Sequence, residues 1–489
     1  MDLTPFIQEG ILIPLGNGVG WPTSLALHSE KVEKGGLFIA IPGSQYDNTA
    51  FIESALHRGA CAVVMPQERG EEIAAYFKER YPETSFFVTP QIRVVTSRLA
   101  ASFYPLQPHN IVAVTGTNGK TSVVSFIRQI WHQLGIPAAS LGTLGLIIEG
   151  KPLPPPTGTN GLNTPDPVCL HQILQNLKEQ QIDHLAFEAS SHGLHQHRLD
   201  AVRLGAAVFT NFSNDHLDYH LTLEAYFEAK TRLFQELLLQ ETPAILNADM
   251  AEYHQLLALC QKRRLKMITF GKAGKTIRFL SLTPKENCQE VLLEIEGKPY
   301  NFTLPLVGQF QVYNVMAALG AVMACGGQVP HAVEACVNLK GVPGRLEEAA
   351  PGVYVDYSHK PEALSVALKT LRAHTKGQLW VVFGCGGNRD SFKRPVMGEI
   401  AAKLADKIII TDDNPRYEDP VSIRHQILMG CPKATEIPSR REAIAKAIKE
   451  KKPGDVILIA GKGHEAYQLV GDQVLPFNDV EEVQKCVKL

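Results

Sequence analysis

The stretch Asn110–Trp131, "NIVAVTGTNGKTSVVSFIRQIW", runs from an apolar strand through a glycine-rich turn into a helix. The run "IVAV" is typical of a strand that is buried on both faces of a parallel sheet. In the turn, glycines let backbone N–H groups point at phosphates, Lys120 can reach the outer phosphates, and the Thr121 hydroxyl can hold Mg²⁺. The stretch therefore predicts an α/β fold with a nucleoside triphosphate site at the end of this strand.

This turn departs from the usual G-x-x-x-x-G-K-[ST] pattern, because Val114 stands at the position of the first glycine. A turn that only joins a strand to a helix, with a lysine at the surface, is the alternative interpretation. We prefer nucleotide binding because the strand, the turn, the helix and the Lys-Thr pair occur together. The residues expected to bind the nucleotide here are Gly116, Thr117, Asn118, Gly119, Lys120 and Thr121.

The same succession of strand, loop and helix recurs in the last third of the chain. The strands "GVYVDYSH", "LWVVFGCGG", "KIIITDD" and "DVILIAGKG" are separated by helical stretches, which predicts a parallel, doubly wound sheet. Ligands of such sheets bind outside the carboxyl ends of the strands, and seven polar or glycine-rich clusters of this chain follow predicted strands. We therefore expect one site that is shared between domains.

Length and composition indicate several domains. A chain of 489 residues with 45% hydrophobic residues exceeds what a single core usually supports. Shifts in composition, and the Gly- and Pro-rich linker "NLKGVPGRLE", predict three domains over residues 1–91, 92–339 and 340–489.

Charge and targeting signals exclude several classes of function. The net charge is -2 and no basic stripe with interleaved aromatic residues occurs, so nucleic acid is an unlikely partner. The start "MDLTPFIQEG" lacks the pattern of a signal peptide, and no apolar run is long enough for a membrane span, so we expect a cytoplasmic protein without membrane insertion. Nine scattered cysteines without a C-x-x-C pair argue against disulfides and zinc.

The segment "LTLEAYFEAKTRLFQELL" predicts a helix with Lys230 in the middle of its apolar face. This face consists of Leu223, Tyr226, Phe227, Lys230, Leu233, Phe234 and Leu237. Burial of an ammonium group lowers its pKa, and a neutral amine can take up CO₂ to form a carbamate, which is an anionic metal ligand. Alternatively, the tip of the side chain reaches water at the rim of the face. Both interpretations stay open at this point.

Two further candidate metal ligands, Glu188 and His216, follow predicted strands. Together with a carbamate on Lys230 they could hold a second Mg²⁺, an ion that prefers oxygen ligands. Alternatively, Glu188 lies at a helix N-terminus and His216 is a turn residue with its own partners. The run His192–Arg198, "HGLHQHR", lacks a second cluster at zinc-ligand spacing, so we interpret it as a source of substrate contacts.

Nine motifs, taken together and in this order, resemble those of the Mur ligases of peptidoglycan synthesis. The motifs are "TGTNGKT", "EASSHGLHQHR", "NDHLDYH", "YFEAKTRLF", "PGRLE", "VDYSHKPEAL", "GCGGNRD", "DDNPR" and "GKGHE". The resemblance spans nearly the whole chain and is greatest to the ligases that add the third residue of the stem peptide. It implies an N-terminal domain for the UDP-sugar, a central P-loop ATPase domain with a parallel-sheet core, and a C-terminal Rossmann-like domain for the amino acid.

The resemblance also implies roles for individual residues, with ATP and Mg²⁺ as cofactors. The implied catalytic and metal-binding residues are Lys120, Thr121, Glu188, His216 and carbamylated Lys230. The residues implied to contact adenine, ribose or phosphates are Asn314, Arg345, Asp356 and His359. Those for the UDP-muramoyl-peptide are Ser29, Asn163, Thr164, Ser190, Gln196 and Arg198. Those for the amino acid are Arg389, Asp413, Asn414, Arg416, Gly461 and Glu465.

The sequence also departs from the family pattern at several positions. "HSE" at residues 28–30 replaces Asp-Ser-Arg, and Asn163 replaces the first threonine of Thr-Thr-Pro. Lys360 stands where threonine is common, Asn388 stands for aspartate, and the glycine that usually follows "DYH" is absent. These changes affect the implied nucleotide-sugar contacts more than the implied catalytic ones.

Arg416 bears on which amino acid is added. L-Lysine and meso-diaminopimelate differ by one carboxylate at the far end, which a guanidinium can bind through two parallel hydrogen bonds. Arg416 follows an Asn-Pro turn at a strand end and suits diaminopimelate; alternatively, it pairs with Asp412 or Asp413 of its own loop. We therefore predict ATP-dependent addition of meso-diaminopimelate to UDP-N-acetylmuramoyl-L-alanyl-D-glutamate through an acyl phosphate, by an enzyme expected to be a monomer.

Four other functions compete with this prediction. Addition of L-lysine would use the same chemistry, and a folylpolyglutamate synthetase would share the architecture and the acyl phosphate. A nucleotide switch would share only the phosphate loop. A dinucleotide-dependent oxidoreductase is disfavoured because "GCGGNRD" does not match G-x-G-x-x-G.

Overall fold

The computed structural model describes residues 1–16, 21–43, 48–149, 151–152 and 162–487. Within these residues, no helix combines the length and the apolar character that crossing a bilayer requires. The chain divides into two compact units. The first comprises Met1–Lys120, Trp131–Ile268 and Ala324–Gly326, and the second comprises Thr121–Ile130, Thr269–Met323 and Gly327–Leu489. The boundaries of the three predicted domains are not tested by this division and stay predictions.

The N-terminal part of the first unit contains a five-stranded sheet in the order β1-β5-β4-β3-β2, parallel except for β1. Its strands are β1 (Ile13–Pro14), β2 (Leu25–Ala26), β3 (Leu37–Ile39), β4 (Ala62–Pro66) and β5 (Ser85–Thr89). Its helices are α1 (Thr4–Gln8), α2 (Ile52–His57), α3 (Gln67–Lys78) and α4 (Ile92–Phe103), with 3₁₀ turns at Ser29–Lys31 and Asn48–Phe51. Val63 and Val64 of β4 belong to different core clusters, so both faces of the sheet are covered.

The larger part of the first unit contains the strand that precedes the glycine-rich turn, and the turn itself. Its strands are β6 (Asn110–Thr115), β7 (Ala138–Gly142), β8 (Gly145–Ile148), β9 (Lys151–Pro152), β10 (His184–Glu188), β11 (Ala206–Phe209) and β12 (Pro243–Asn247), and β13 (Lys266–Gly271) has residues in both units. Its helices are α6 (Pro167–Glu179), α7 (Ser191–His195), α8 (Leu217–His220), α9 (Leu223–Arg232) and α10 (Tyr253–Lys262), and α5 (Lys120–Gln133) has residues in both units. Most of α5 belongs to the second unit.

Strand register places the candidate residues of the first unit along one edge. The order is β12-β11-β6-β10-β7-β8-β9, with parallel pairs from β12 to β7 and antiparallel pairs beyond. Glu188 pairs with Val114, and Phe209 pairs with Thr115. Because these strands are parallel and end level with one another, the loops that follow them emerge together.

The predicted helix around Lys230 has a different end from the one expected. The α-helix stops at Arg232 and continues as a π-helical turn, Leu233–Leu237. A π turn contains more residues than an α turn and therefore rotates the side chains that follow it. Leu237 is partly buried and packs against the core, Leu238 beyond the helix is 0% exposed, and Leu223 at the helix start is 39% exposed.

The second unit contains an antiparallel three-stranded meander and a six-stranded sheet in the order β17-β18-β22-β19-β20-β21. Its strands are β14 (Ile277–Pro284), β15 (Gln289–Ile295), β16 (Lys298–Leu304), β17 (Glu347–Ala350), β18 (Val353–Asp356), β19 (Leu379–Phe383), β20 (Lys407–Ile410), β21 (Thr435–Glu436), β22 (Val456–Ala460), β23 (Tyr467–Val470) and β24 (Gln473–Pro476). Its helices are α11 (Gln309–Ala324), α12 (Val329–Cys336), α13 (Pro361–Arg372), α14 (Lys393–Leu404), α15 (Pro420–Leu428), α16 (Arg440–Glu450) and α17 (Asp479–Val487).

The six-stranded sheet is parallel except for β17, and helices cover both of its faces. Leu368 of α13 and Met397 of α14 belong to one core cluster, while Ile444 of α16 and Val483 of α17 belong to the other. This arrangement confirms the predicted doubly wound C-terminal domain and, with the parallel core of the first unit, the α/β class.

Candidate active site

The glycine-rich turn is shaped by two glycines with positive φ. Gly116 has φ +140° and Gly119 has φ +84°, values that disfavour other residues. A Cβ atom on Gly116 would lie 2.0 Å from Thr210 Oγ1, so the close approach of these two segments requires glycine. Val114, where the usual pattern has its first glycine, is a fully buried residue of β6 and needs no unusual backbone conformation.

The turn is braced by the loop that follows β11. Asn211 binds two amides of the turn: its carbonyl oxygen accepts from Thr117 N (2.9 Å) and its Oδ1 accepts from Asn118 N (2.9 Å). Thr210 Oγ1 donates to the Asn118 carbonyl at 2.6 Å. The loop after β11 therefore fixes the shape of the turn. The predicted roles of Thr117 and Asn118 in phosphate binding stay predictions. To bind a phosphate through their amides, both residues would have to give up their hydrogen bonds to Asn211.

Two lysine side chains converge on one carbonyl of the turn. Lys120 Nζ donates to the carbonyls of Gly116 and Thr117, both at 2.8 Å, and Lys230 Nζ donates to the Gly116 carbonyl, also at 2.8 Å. Lys230 is only 1% exposed, so its tip does not reach water. Burial, and secondarily the charge of Lys120, holds the pKa of Lys230 well below its ordinary value. Thr121, in the first turn of α5, is 6% exposed.

Glu188 is held at the end of β10 by the residue that follows β7. Its Oε1 accepts from Thr143 N (2.8 Å) and its Oε2 accepts from Thr143 Oγ1 (3.2 Å). Ser190, whose Oγ accepts from Gly193 N at 3.1 Å, caps the helix that follows. The carboxylate is therefore not the cap of α7, and it is 1% exposed.

His216 and Lys230 both lie beside the ring of Tyr226. The centroids of the His216 and Tyr226 rings are 5.9 Å apart, and Lys230 Nζ lies 4.5 Å from the Tyr226 centroid. His216 has φ +53° and precedes the short helix α8, with Nε2 3.7 Å from Asp215 Oδ2. Among the described residues, no three His, Cys, Asp or Glu side chains form a group that could hold a metal. A metal site here would therefore depend on Lys230 as a ligand.

A cluster of histidine rings surrounds Tyr219 beside this region. His195 Nδ1 and Gln196 Nε2 each lie 3.0 Å from Tyr219 Oη, and the His192 ring lies 4.1 Å from that of Tyr219. Burial, together with neighbouring positive charge, lowers the pKa of His192 and of His220 to about 4. These two rings are therefore neutral at neutral pH.

The candidate contacts for the muramoyl-peptide fall into three groups. Thr164 Oγ1 donates to the Glu188 carbonyl (2.7 Å) and Arg198 Nη1 donates to the Thr164 carbonyl (2.5 Å). Ser190 and Gln196 join this network, through Thr164 Oγ1 (2.9 Å) and Arg198 Nη2 (2.7 Å) respectively. Ser29 lines a separate cavity of about 330 Å³, together with His28 and Glu30, the two neighbours that differ from the family pattern. Asn163 is exposed, and the preceding residues 153–161 lie outside the described part of the chain.

The candidate contacts for the nucleotide in the second unit form a connected group. Gln311 Oε1 accepts from Asn314 Nδ2 at 3.0 Å and Gln311 Nε2 donates to the Arg345 carbonyl at 3.4 Å. The Arg345 guanidinium lies 5.0 Å from the centroid of the Tyr357 ring. Asp356 accepts from Leu346 N at 2.8 Å, and burial raises the pKa of its carboxyl. His359 Nδ1 lies 2.8 Å from the Tyr357 carbonyl, and burial lowers the pKa of the ring.

Arg416 is held in the left-handed backbone region, with φ +54°. Its backbone N–H donates to the Leu469 carbonyl (3.0 Å) and its backbone carbonyl accepts from Gly471 N (2.7 Å). The hairpin β23–β24 therefore holds the backbone of Arg416 in place. The guanidinium donates through Nη1 to the Gly387 carbonyl at 2.9 Å. Asp412 instead pairs with Arg424, so the alternative that Arg416 pairs with Asp412 is wrong.

The other amino-acid candidates lie in the same loops. Asn414 Nδ2 donates to Glu465 Oε2 at 2.9 Å. Gly461 has φ +117°, and a Cβ there would lie 2.5 Å from Asp413 Oδ2. The Asp413 carboxylate can therefore approach this position only because residue 461 has no side chain. Arg389 is exposed at the end of the glycine-rich loop after β19.

A pair missing from the sequence prediction, Arg394 and Glu418, ties two of these loops together. Arg394 is 0% exposed and donates to both oxygens of Glu418 (2.5 and 2.8 Å) and to the Gly386 carbonyl (3.1 Å). Glu418 also accepts from Asn388 N at 2.9 Å, and Asn388 Oδ1 accepts from Tyr417 N at 3.1 Å. The stretches "KRP" and "YED", which contain Arg394 and Glu418, match no known motif. The two residues pair across 24 positions of the chain, so neither stretch by itself indicates the contact.

Comparisons with known proteins identify related proteins over most of the chain. Residues 114–322 match the Mur ligase middle domain, and residues 344–463 match the Mur ligase, glutamate ligase domain. The UDP-N-acetylmuramoyl-L-alanyl-D-glutamate–2,6-diaminopimelate ligase of Zymomonas mobilis is 44% identical over 471 residues, which is 94% of each chain. The ligase of the same name from a Chelativorans species is 42% identical over 98% of each chain.

Solved structures show the same similarity. A structure of a UDP-N-acetylmuramoyl-L-alanyl-D-glutamate–2,6-diaminopimelate ligase matches with a TM-score of 0.71 and 35% identity, over 96% of this chain and 95% of that one. MurF ligase from Thermotoga maritima in complex with ADP shares the fold, with a TM-score of 0.61 at 19% identity over 95% of this chain and 96% of that one. The protein therefore belongs to the Mur ligase family.

Proposed function

We propose that this protein joins meso-diaminopimelate to UDP-N-acetylmuramoyl-L-alanyl-D-glutamate in an ATP-dependent, ADP-forming reaction of peptidoglycan precursor synthesis. The observation that carries the proposal is the convergence of Lys120 and Lys230 on the Gly116 carbonyl, at the end of the central strand of a Mur ligase middle domain. The names of relatives that match over almost their whole length support the substrates.

The chemistry follows from the charge of the acceptor. A carboxylate resists attack by an amine until one of its oxygens becomes part of a leaving group. The γ-carboxylate oxygen of the D-glutamyl residue therefore attacks the γ-phosphorus of ATP, and ADP leaves. The amine of diaminopimelate then attacks the acyl carbon and loses a proton, and inorganic phosphate leaves. Lys120, on the turn that would hold the phosphates, offsets their negative charge.

As a set of donor groups, a carbamate on Lys230, the Glu188 carboxylate and the His216 imidazole suit a divalent cation. The neutral amine attacks CO₂, a C–N bond forms and a proton is released; the nitrogen keeps one N–H that can still donate to the Gly116 carbonyl. The carbamate, the Glu188 carboxylate and His216 would then hold one Mg²⁺, and Thr121 would contribute to another. Bound Mg²⁺ would neutralise negative charge on the phosphates. Burial of Lys230 favours the reactive neutral amine.

Arg416 supports diaminopimelate over L-lysine. A guanidinium has five N–H groups, and the Gly387 carbonyl accepts from Nη1 only. The same group can therefore also bind a carboxylate, which the side chain of L-lysine lacks. The bracing by β23–β24 holds the backbone of Arg416 in place before the substrate arrives.

A coupled assay of ADP release tests the proposal. Wild-type protein is given ATP, Mg²⁺, UDP-N-acetylmuramoyl-L-alanyl-D-glutamate and either meso-diaminopimelate or L-lysine, and each component is left out in turn. We expect ADP only when all components are present and diaminopimelate is the amino acid. Equal ADP release without the UDP-linked acceptor would reject a ligase and favour a simple ATPase. The cytoplasmic location and the monomeric state stay predictions.

A further inference from the structure

Lys462, the second residue of "GKGHE", is a fully buried lysine without an assigned role. It is 0% exposed, and its Nζ donates to Asn414 Oδ1 at 3.0 Å and to Glu465 Oε2 at 3.2 Å. A buried ammonium group is unfavourable unless it is paired and hydrogen-bonded, so these contacts define its place in the fold. Both of its partners belong to the candidate amino-acid site.

Asn414 is oriented by three hydrogen bonds. Its Oδ1 accepts from Lys462 Nζ (3.0 Å) and from Leu469 N (3.0 Å), and its Nδ2 donates to Glu465 Oε2 (2.9 Å). An amide oxygen has two lone pairs and an amide nitrogen has two N–H groups. Both acceptor positions of Asn414 are therefore in use, and only its second N–H can donate to a ligand.

Glu465 is oriented by the same lysine. The donors from Asn414 and Lys462 bind one oxygen, Oε2, and within the described residues no donor is bonded to Oε1. The unshared oxygen can therefore accept a hydrogen bond from an ammonium group of a ligand. Together, Asn414 offers one donor and Glu465 offers one acceptor, which matches the carboxylate and ammonium groups of a free amino acid.

We propose that Lys462 is a positioning residue for the amino-acid substrate. Its ammonium group locks together Asn414, from the loop after β20, and Glu465, from the loop after β22. These hydrogen bonds fix which atoms of the Asn414 and Glu465 side chains are available to a zwitterionic substrate. The proposal rests on the proposed ligase function, because it needs an amino acid that binds these two loops.

The test compares Lys462→Met with wild-type protein in steady-state kinetics. Loss of a charge-assisted bond to each partner should raise the KM for meso-diaminopimelate by roughly tenfold or more, while the KM for ATP changes by less than about twofold. Lys446→Met is the matched control, because Lys446 is an exposed lysine of the same unit that pairs with a helical neighbour, Glu450. It should leave both KM values unchanged.

The split between the two KM values separates positioning from a general structural role. An unchanged KM for diaminopimelate in Lys462→Met, or an equal rise in both KM values, would overturn the proposal. If Lys462→Met does not fold, Lys462→Gln takes its place, because it removes the ammonium charge and leaves a polar group in the buried position, and the same split is required. Absence of diaminopimelate-dependent ADP release in wild-type protein would instead reject the proposed function itself.

Discussion

Replacing Arg416 by methionine should remove the preference for meso-diaminopimelate over L-lysine. Backbone hydrogen bonds to the β23–β24 hairpin hold Arg416, and a methionine can make the same bonds. The substitution therefore keeps the path of the loop and removes only the guanidinium. Removing one partner of a hydrogen-bonded charge pair costs about 2–5 kcal/mol, because the other charge is left unpaired. We therefore expect the KM for diaminopimelate to rise by about 30-fold to several thousandfold.

The loss of the bond from Arg416 Nη1 to the Gly387 carbonyl adds a second, smaller effect. It loosens the glycine-rich loop after β19, which should lower kcat modestly. The KM for ATP should stay within about twofold of wild type, because the change does not touch the phosphate-binding turn.

Coupled ADP release with diaminopimelate and with L-lysine measures this outcome. Arg372→Met is the matched control, because Arg372 is an exposed arginine of the same domain that pairs with Asp406. It should leave both KM values as in wild type. Wild-type protein that uses L-lysine as well as diaminopimelate, or an Arg416→Met variant that loses ATP affinity instead, would refute the reasoning.

Three further predictions concern the turn, the buried lysine and the loop clamp. Lys230→Ala should lose most activity while the circular dichroism spectrum is retained, and a small added carboxylate should restore part of the activity; wild-type rates in this variant would exclude a carbamate. Gly116→Ala should lower the melting temperature and abolish ATP turnover, because its Cβ would lie 2.0 Å from a threonine hydroxyl, whereas Gly341→Ala, whose Cβ would make only an ordinary contact of 3.9 Å with Leu306, should do neither. The Arg394 hydrogen bond lowers the pKa of Glu418 to about 2 from 4.5, so the clamp stabilises the fold above pH 4.5 and loses this effect as pH falls towards 2. In urea titrations Glu418→Gln should therefore be destabilised at pH 7, and its difference from wild type should shrink in acid; a difference that is constant with pH would contradict this.

The sequence alone sufficed for features that depend on neighbouring residues. The run before Gly116 predicts a buried strand, and the glycines, lysine and threonine after it predict the turn and the helix start, because strand, turn and helix preferences act over a few residues. The doubly wound C-terminal sheet followed from the same local pattern repeated four times. The family assignment followed from motif order.

Local pattern could not resolve how buried polar groups are satisfied. The apolar spacing around Lys230 was compatible with a buried or a water-exposed amine, and it gave no sign of the π-helical turn Leu233–Leu237 or of the full burial of Leu238. The acceptor of Lys230 lies 114 residues away, in Gly116. No periodicity along one helix can indicate such a partner.

The same limit applies to the amino-acid loops. The motif "DDNPR" indicated that Arg416 matters, but its contact with Gly387, the pairing of Asp412 with Arg424 and the burial of Lys462 were decided by the tertiary structure. Each depends on which loops parallel strands bring to one edge of the sheet. Sequence therefore determined which elements form and which chemical groups follow them, whereas folding decided which groups meet, because a buried charge is stable only with a partner that distant parts of the chain supply.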